Sequence, residues 1–160
     1  MSVKPVPDGY HTLTPHLTVR DAARAIEFYK QAFGATARGA MKGPDGKIMH
    51  AELMIGDSII MLADEFPEFG GLSPQSTGGT STSLHIYLDG VDAAFDRAVK
   101  AGAEVEMPVT DQFWGDRYGT LKDPFGHKWS IATHTKEMSA DEMKRSMDEA
   151  MQNMPQQKIA

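Results

Sequence analysis

The chain contains no cysteine. That excludes disulfides, thiolate zinc sites and cysteine nucleophiles, and it agrees with a reducing compartment. Long apolar runs are missing as well, so no segment reads as a helix that spans a bilayer. Met1–Tyr10 has one lysine and no apolar run, which is unlike a secretory leader. Basic clusters are also lacking. Lys and Arg number 16 against 22 Asp and Glu, for a formal net charge of −6. This leaves no footprint for nucleic acid, and the mild acidity serves solubility. Nucleophile and phosphate motifs are absent too. There is no Gly-x-Ser-x-Gly, and Gly78–Gly79 is not followed by the Lys-Ser/Thr of a phosphate loop. The expectation is a cytoplasmic protein with neither a nucleic-acid nor a membrane partner.

What is present is a repeat. Of the 160 residues, 41% are hydrophobic, enough to build a core for one domain made of two fused halves. The stretch Leu13–Asp21 alternates like a strand and ends in Asp; Leu84–Asp92 does the same. Each leads into an Ala-rich helix, with Asp21 and Asp92 suited to N-capping. Each helix closes on a Gly-Ala pair, Gly34–Ala35 and Gly102–Ala103, where a left-handed residue is wanted. The helical period groups Ala22, Ile26, Tyr29 and Phe33 in the first helix, and Ala94, Phe95, Ala98 and Val99 in the second.

Three strand-like stretches follow each helix. They are Thr36–Lys42, Lys47–Ile55 and Ser58–Ala63 in the first half, then Glu104–Val109, Arg117–Lys122 and Lys128–Thr133 in the second. Pro44–Asp45–Gly46, Gly56–Asp57 and Asp123–Pro124–Phe125–Gly126 supply the turns. This predicts one domain over 9–134 made of two βαβββ modules, 9–64 and 82–134, joined by a Gly/Ser/Thr-rich linker at 65–81. A C-terminal helix and tail fill 135–160. Ser139 and Glu142 form a capping box there, and Met143, Met147 and Met151 lie four apart. Met154–Ala160 reads as a disordered end.

These residues resemble a known superfamily. The frame Val19-x-Asp21, Phe28–Tyr29 and Phe33–Gly34 looks like the first strand and helix of the vicinal oxygen chelate group, which comprises glyoxalase, bleomycin resistance proteins and dioxygenases. Gly119-x-x-x-Asp123–Pro124–Phe125–Gly126–His127 is similar to that group's Asp-Pro-x-Gly signature. Trp114–Gly119 is typical of a bacterial glyoxalase-like subgroup. The resemblance implies an α+β fold in which two tandem βαβββ modules form a curved mixed sheet around a cavity. It also implies a homodimer and a small-molecule ligand.

Metal-dependent members hold two substrate oxygens on a divalent ion acting as a Lewis acid. The resemblance places its ligands seven residues before the helix-starting Asp and four after the turn Gly. Those positions are Thr14, His85, Ile60 and Ser130. Only His85 fits, so no cofactor is expected. Should a divalent metal bind, a shifted set would combine His85 with His16, His50 or Glu52. Strand alternation puts Thr14, His16 and Thr18 on one face and His85 and Tyr87 on the equivalent face, both expected to look into the cavity, while His50 and Glu52 share one face of their own strand. Which way His50 and Glu52 point stays open. Acid–base chemistry points to His85 and Glu52, with His16 a third candidate. Trp114, Arg117 and Tyr118 lie beside the second hairpin. There Trp114 and Tyr118 suit stacking, and Arg117 suits pairing with an anion. A structural role, with Arg117 bridging to Asp116 or Asp123, stands beside that reading. The cavity-lining set is Thr14, His16, His50, Tyr87, Trp114, Arg117 and Ser130. Three functions remain: a metal-free binder of a small amphipathic compound, a metal-dependent lyase, isomerase or dioxygenase, or a domain whose dimer surface matters most.

Overall fold

A computed structural model describes residues 3–153. The first unit runs β1 (His16–Val19), α1 (Ala22–Phe33), β2 (Thr36–Lys42), β3 (Ile48–Ile55) and β4 (Ser58–Asp64). The second runs β5 (Ser83–Tyr87), α3 (Val91–Ala101), β6 (Glu104–Asp111), β7 (Asp116–Lys122) and β8 (Lys128–His134). Between them lie a 3-10 turn (Pro67–Phe69) and a short α2 (Pro74–Thr77); α4 (Ala140–Asn153) follows. No helix among the described residues is long and apolar enough to cross a membrane.

Each unit makes its own four-stranded mixed sheet, β1-β4-β3-β2 and β5-β8-β7-β6. The single curved sheet expected above is therefore two sheets, with β1 and β5 as edges. The units join through their helices instead. α1 packs on α3, and one apolar core takes in Val19, Leu53 and Leu62 of the first sheet and Leu121, Trp129 and Ile131 of the second. α1 buries Ala22, Ala25, Phe28, Tyr29, Ala32 and Phe33, a wider stripe than expected, and leaves Ile26 only partly covered. The reason is that α1 serves both units. Phe33 and Tyr29 meet Trp129 with ring centroids 4.7 and 5.3 Å apart. In α3 the buried set is Val91, Ala94, Phe95 and Ala98; Val99 stays 38% exposed and drops out of the face.

The capping differs between the units. Asp21 caps α1 by accepting from the Arg24 amide at 3.0 Å. α3 is capped by Gly90 at φ 71, a conformation glycine adopts without strain. Asp92 lies inside the first turn, where its charge suits the helix dipole. This corrects the alignment of the two units. Asp64 accepts from the first amide of α1, Ala22, at 2.8 Å, and Thr133 does so for Val91 at 3.0 Å. His16 pairs with Met61 and His85 with Ser130 in parallel register. His16 and His85 are therefore equivalent, and the counterpart of Thr14 is Ser83.

The linker is more than a tether. Glu65 accepts from the Ser73 amide at 3.0 Å and from the Ser76 hydroxyl at 2.7 Å, with Arg20 at 3.2 Å. These bonds hold its carboxyl down at about 2. The capping box closes α4: Ser139 Oγ accepts from the Glu142 amide at 3.3 Å, and the Ser139 amide donates to Glu142 Oε2 at 2.9 Å. α4 buries no residue; of its Met stripe, Met147 and Met151 are exposed and Met143 is half-buried. Met154–Ala160 lie outside the described residues.

Candidate functional site

Strand alternation gives each sheet a helix side and a helix-free side. The helix-free sides carry the candidate chemistry. In the first unit Leu17, Leu53 and Leu62 enter the core, so His16, His50, Glu52 and Met61 point the other way. The His16 and His50 rings lie 6.1 Å apart at 71°. His50 Nε2 is 3.4 Å from Glu52 Oε1. Desolvation lowers the His16 pKa, and the neighbouring His50 adds to it. A hydrogen bond from Tyr10 holds the Glu52 carboxyl below its ordinary value, with His50 contributing; the same bond raises the Tyr10 phenol. The open question of where His50 and Glu52 face is thus answered by the packing of Ala51 and Leu53.

In the second unit Leu84, Ile86, Trp129 and Ile131 pack on or into the core, which leaves His85, Tyr87, Ser130 and Tyr118 on the helix-free side. His85 Nδ1 is 2.7 Å from Ser130 Oγ. Its ring stacks with Tyr118 at 5.9 Å and 18°, and meets Tyr87 at 4.5 Å and 65°. Trp114 stands at 76° to Tyr118, 5.6 Å away. The hub of this wall is Asp116, 3% exposed. Its Oδ2 accepts from Tyr87 Oη and from Trp114 Nε1, both at 2.9 Å. His134 Nδ1 lies 2.7 Å from its Oδ1. Burial acts to raise the Asp116 carboxyl, but the bonds from His134, Tyr87 and Trp114 outweigh it and the net pKa is lowered. In return Asp116 raises both His134 and Tyr87. Desolvation lowers His85.

A groove of about 580 Å³ lies where the units meet, along the free edge of β5. Leu13, Phe33 and Ile60 of the first unit and Leu84, Ile86 and Trp129 of the second line it, and His85 and Tyr87 form part of its wall. The aromatic wall and the groove therefore share β5.

His16, His50 and Glu52, on the first sheet, are not in the groove lining, and two further candidates lie on neither helix-free face. Arg117 alternates with Asp116 and Tyr118, so it leaves the wall. It holds Asp92 at 2.6 and 2.7 Å and Asp111 at 3.0 Å, neither of which was the partner expected. Thr14 precedes β1 and donates to the His11 carbonyl at 3.2 Å. Asp116, His134, Tyr10 and Met61 were not among the expected site residues, whereas Tyr118 was named as a stacking candidate beside Trp114. Period-two alternation from Ser130 and Tyr118 leads to His134 and Asp116. Tyr10 lies outside any strand and carries no such signal.

The ion of the metal-dependent members finds no donor set here. With the corrected register its positions hold Thr14 and Ser83 at the strand starts, and Ser130 with its equivalent Met61 on the last strands. Ile60 is buried in the core. None is an imidazole or a carboxylate. The shifted set of His85 with His16, His50 or Glu52 does not gather either. Among the described residues no group of three His, Asp or Glu is placed to hold an ion.

Comparison with known proteins agrees with the architecture. The family model described as Glyoxalase/Bleomycin resistance protein/Dioxygenase superfamily matches residues 10–131. An uncharacterized protein of Mycobacterium tuberculosis is 47% identical over 138 residues, covering 84% of this chain and 81% of that one. The crystal structure of TioX from Micromonospora sp. ML1 aligns with a TM-score of 0.63 at 26% identity, over 78% of this chain and 98% of that one. PA1353 from Pseudomonas aeruginosa aligns at 0.64 and 25%, over 79% and 99%. α4 lies beyond the family match.

Proposed function

The chain belongs to the glyoxalase/bleomycin resistance protein/dioxygenase superfamily, and on that premise we propose that it binds a small amphipathic molecule where its two units meet, without the ion centre of the metal-dependent members. One observation carries this reading. Asp116 fixes Tyr87 and Trp114 in place while Tyr87 remains 62% exposed. A buried carboxylate thus orders an aromatic surface on which Tyr87 stays open to solvent while Trp114 is half-buried against Phe113 and Tyr118. Ordered, uncovered rings offer contact area at little further entropic cost. The adjoining groove is apolar, and its volume falls within the range of about 300–1,000 Å³ usual for small-molecule sites.

The free edge of β5 leaves the groove open on one side. A second copy laid along that edge encloses the ligand, which is the homodimer the resemblance implies. Sedimentation checks this: a monomer at micromolar concentration removes the dimer from the proposal.

The ligand itself is tested by a thermal-shift screen of metabolites and antibiotics, followed by fluorescence. Trp129 is 2% exposed and reports the core, so quenching on ligand addition is read from Trp114. Hits should raise the melting temperature further as ligand concentration rises above Kd, quench Trp114, and bind more weakly to Tyr87→Ala. Hits that leave Trp114 silent and bind Tyr87→Ala unchanged refute the site.

A further inference from the structure

We infer that the wall built on Asp116 recognises an organic cation, specifically an alkylated ammonium group. The inference rests on the binding reading above and names its ligand class. Tyr87 and Trp114 donate to the same oxygen of one carboxylate. A ring whose donor group is held by an anion keeps more electron density on its face, which strengthens the attraction between that face and a cation. The rings also stand at steep angles, Trp114 to Tyr118 at 76° and His85 to Tyr87 at 65°, so a rounded group meets ring faces from more than one direction.

The charges around the wall favour a cation over an anion. No Arg or Lys bonds to Asp116. Arg117 is engaged on the other face by Asp92 and Asp111. Lys122 and Lys128, at the far end of the sheet, pair with Glu104 and Glu106. The groove has one arginine, Arg97, with Asp57 and Asp89 also in its lining. The wall itself thus offers an incoming carboxylate or phosphate no Arg or Lys, and Arg97 lies in the groove rather than on the wall. Alkylation matters because Asp116 is buried beneath Tyr87, Trp114 and His134, which already donate to it, so an N–H donor from outside does not reach its oxygens. A methylated ammonium needs no such acceptor.

His134 opposes the ligand. It shares Asp116, and Glu137 lies 3.4 Å from its other nitrogen. Its proton is held more tightly than usual, first by the Asp116 bond. Deprotonation of His134 leaves the Asp116 charge uncompensated, so cation binding strengthens as pH rises. His85, lowered by desolvation, is neutral in that range.

Choline and its neutral carbon isostere, 3,3-dimethyl-1-butanol, are the probes, with Trp114 quenching as readout on the full chain. Choline should bind at least about tenfold more tightly than the alcohol, and more tightly at about pH 8.5 than at about pH 6. His134→Gln should bring the affinity at low pH up to the high-pH level and abolish the pH dependence. Tyr87→Phe keeps the ring, loses the Asp116 bond, and should reduce the preference for choline. Equal binding of the two probes, or silence to both, overturns the cation inference. If the broad screen still yields ligands that quench Trp114, the site stands without it. Loss of pH dependence in the wild type also overturns it, whether or not any variant folds.

Discussion

Asp123 provides a direct test of how the two units are joined. It is 3% exposed and accepts from Tyr29 Oη at 2.7 Å, Trp129 Nε1 at 2.8 Å, and the Phe125 and His127 amides, both at 2.9 Å. Tyr29 comes from the first unit and the other three from the second. Asp123→Ala removes the two acceptor oxygens of all four bonds and strands two buried side-chain donors. Hydrogen bonds to a charged group contribute about 1.5–3 kcal/mol each, and a stranded buried donor costs about 1–3 kcal/mol. These terms overlap, so we expect a net loss of roughly 4–6 kcal/mol. That approaches the whole stability of a small domain, about 5–15 kcal/mol. Tyr29→Phe removes one bond and its hydroxyl together, and should cost about 1–2 kcal/mol. Urea denaturation followed by Trp fluorescence gives both values, provided the slope with denaturant is unchanged. The double variant should lose less than the sum, because the two residues share a bond. An Asp123→Ala loss below about 1 kcal/mol, or strict additivity with Tyr29→Phe, refutes the claim that this carboxylate clamps the units together.

Two further outcomes follow from the site. The proton of His134 is bound more tightly in the folded state, so its stabilisation is fully present below the ordinary histidine value of about 6.5 and is lost as pH rises through the raised folded value. Asp116 behaves oppositely: its stabilisation is present above about 3.9 and fades as pH falls through the lowered folded value. Melting temperature against pH should therefore fall on the alkaline side in the wild type, and His134→Gln should flatten that limb; an unchanged limb contradicts the pairing. For metal, the protein equilibrated with Zn, Ni, Mn or Fe and then desalted should retain less than one ion per chain by elemental analysis, and His85→Ala should leave that figure unchanged. A stoichiometric ion released by His85→Ala would contradict the donor-set argument.

The α+β class and the tandem units were legible because Gly34 and Gly102 end two helices of similar length and because core residues alternate along strands such as β3 and β7. The alignment between the units was less so. Matching Asp21 to Asp92 was natural, since both are acidic and both stand at a helix start. Yet α3 begins on Gly90, and capping by a glycine backbone leaves no side-chain mark in the sequence. The resulting slip was two residues. Because the strand period is also two, His85 kept its face and only its counterpart changed, from Thr14 to His16. Faces were therefore readable where positions were not. Arg117 was misread for a different reason. Its neighbours Asp116 and Asp123 are close in sequence, but its partners Asp92 and Asp111 come from α3 and β6 and meet it only after folding.

Asp116 and Asp123 show how one residue type serves two purposes at opposite ends of β7. Each is 3% exposed, and each binds a tyrosine hydroxyl and a tryptophan ring nitrogen. What differs is the surroundings of the rings. Tyr29 and Trp129 are wholly enclosed beside Phe33 and Phe125, so their ordering serves cohesion between the units. Tyr87 and Trp114 receive the same ordering on the helix-free side, where nothing in the described chain covers Tyr87. Burying a carboxylate is unfavourable unless its bonds are made, and in the core the enclosed aromatic area offsets that cost. On the open side little burial of Tyr87 is available to offset it. The structure thus maintains a buried charge under a surface whose folding benefit is small, and that imbalance is what the proposed binding sets out to explain.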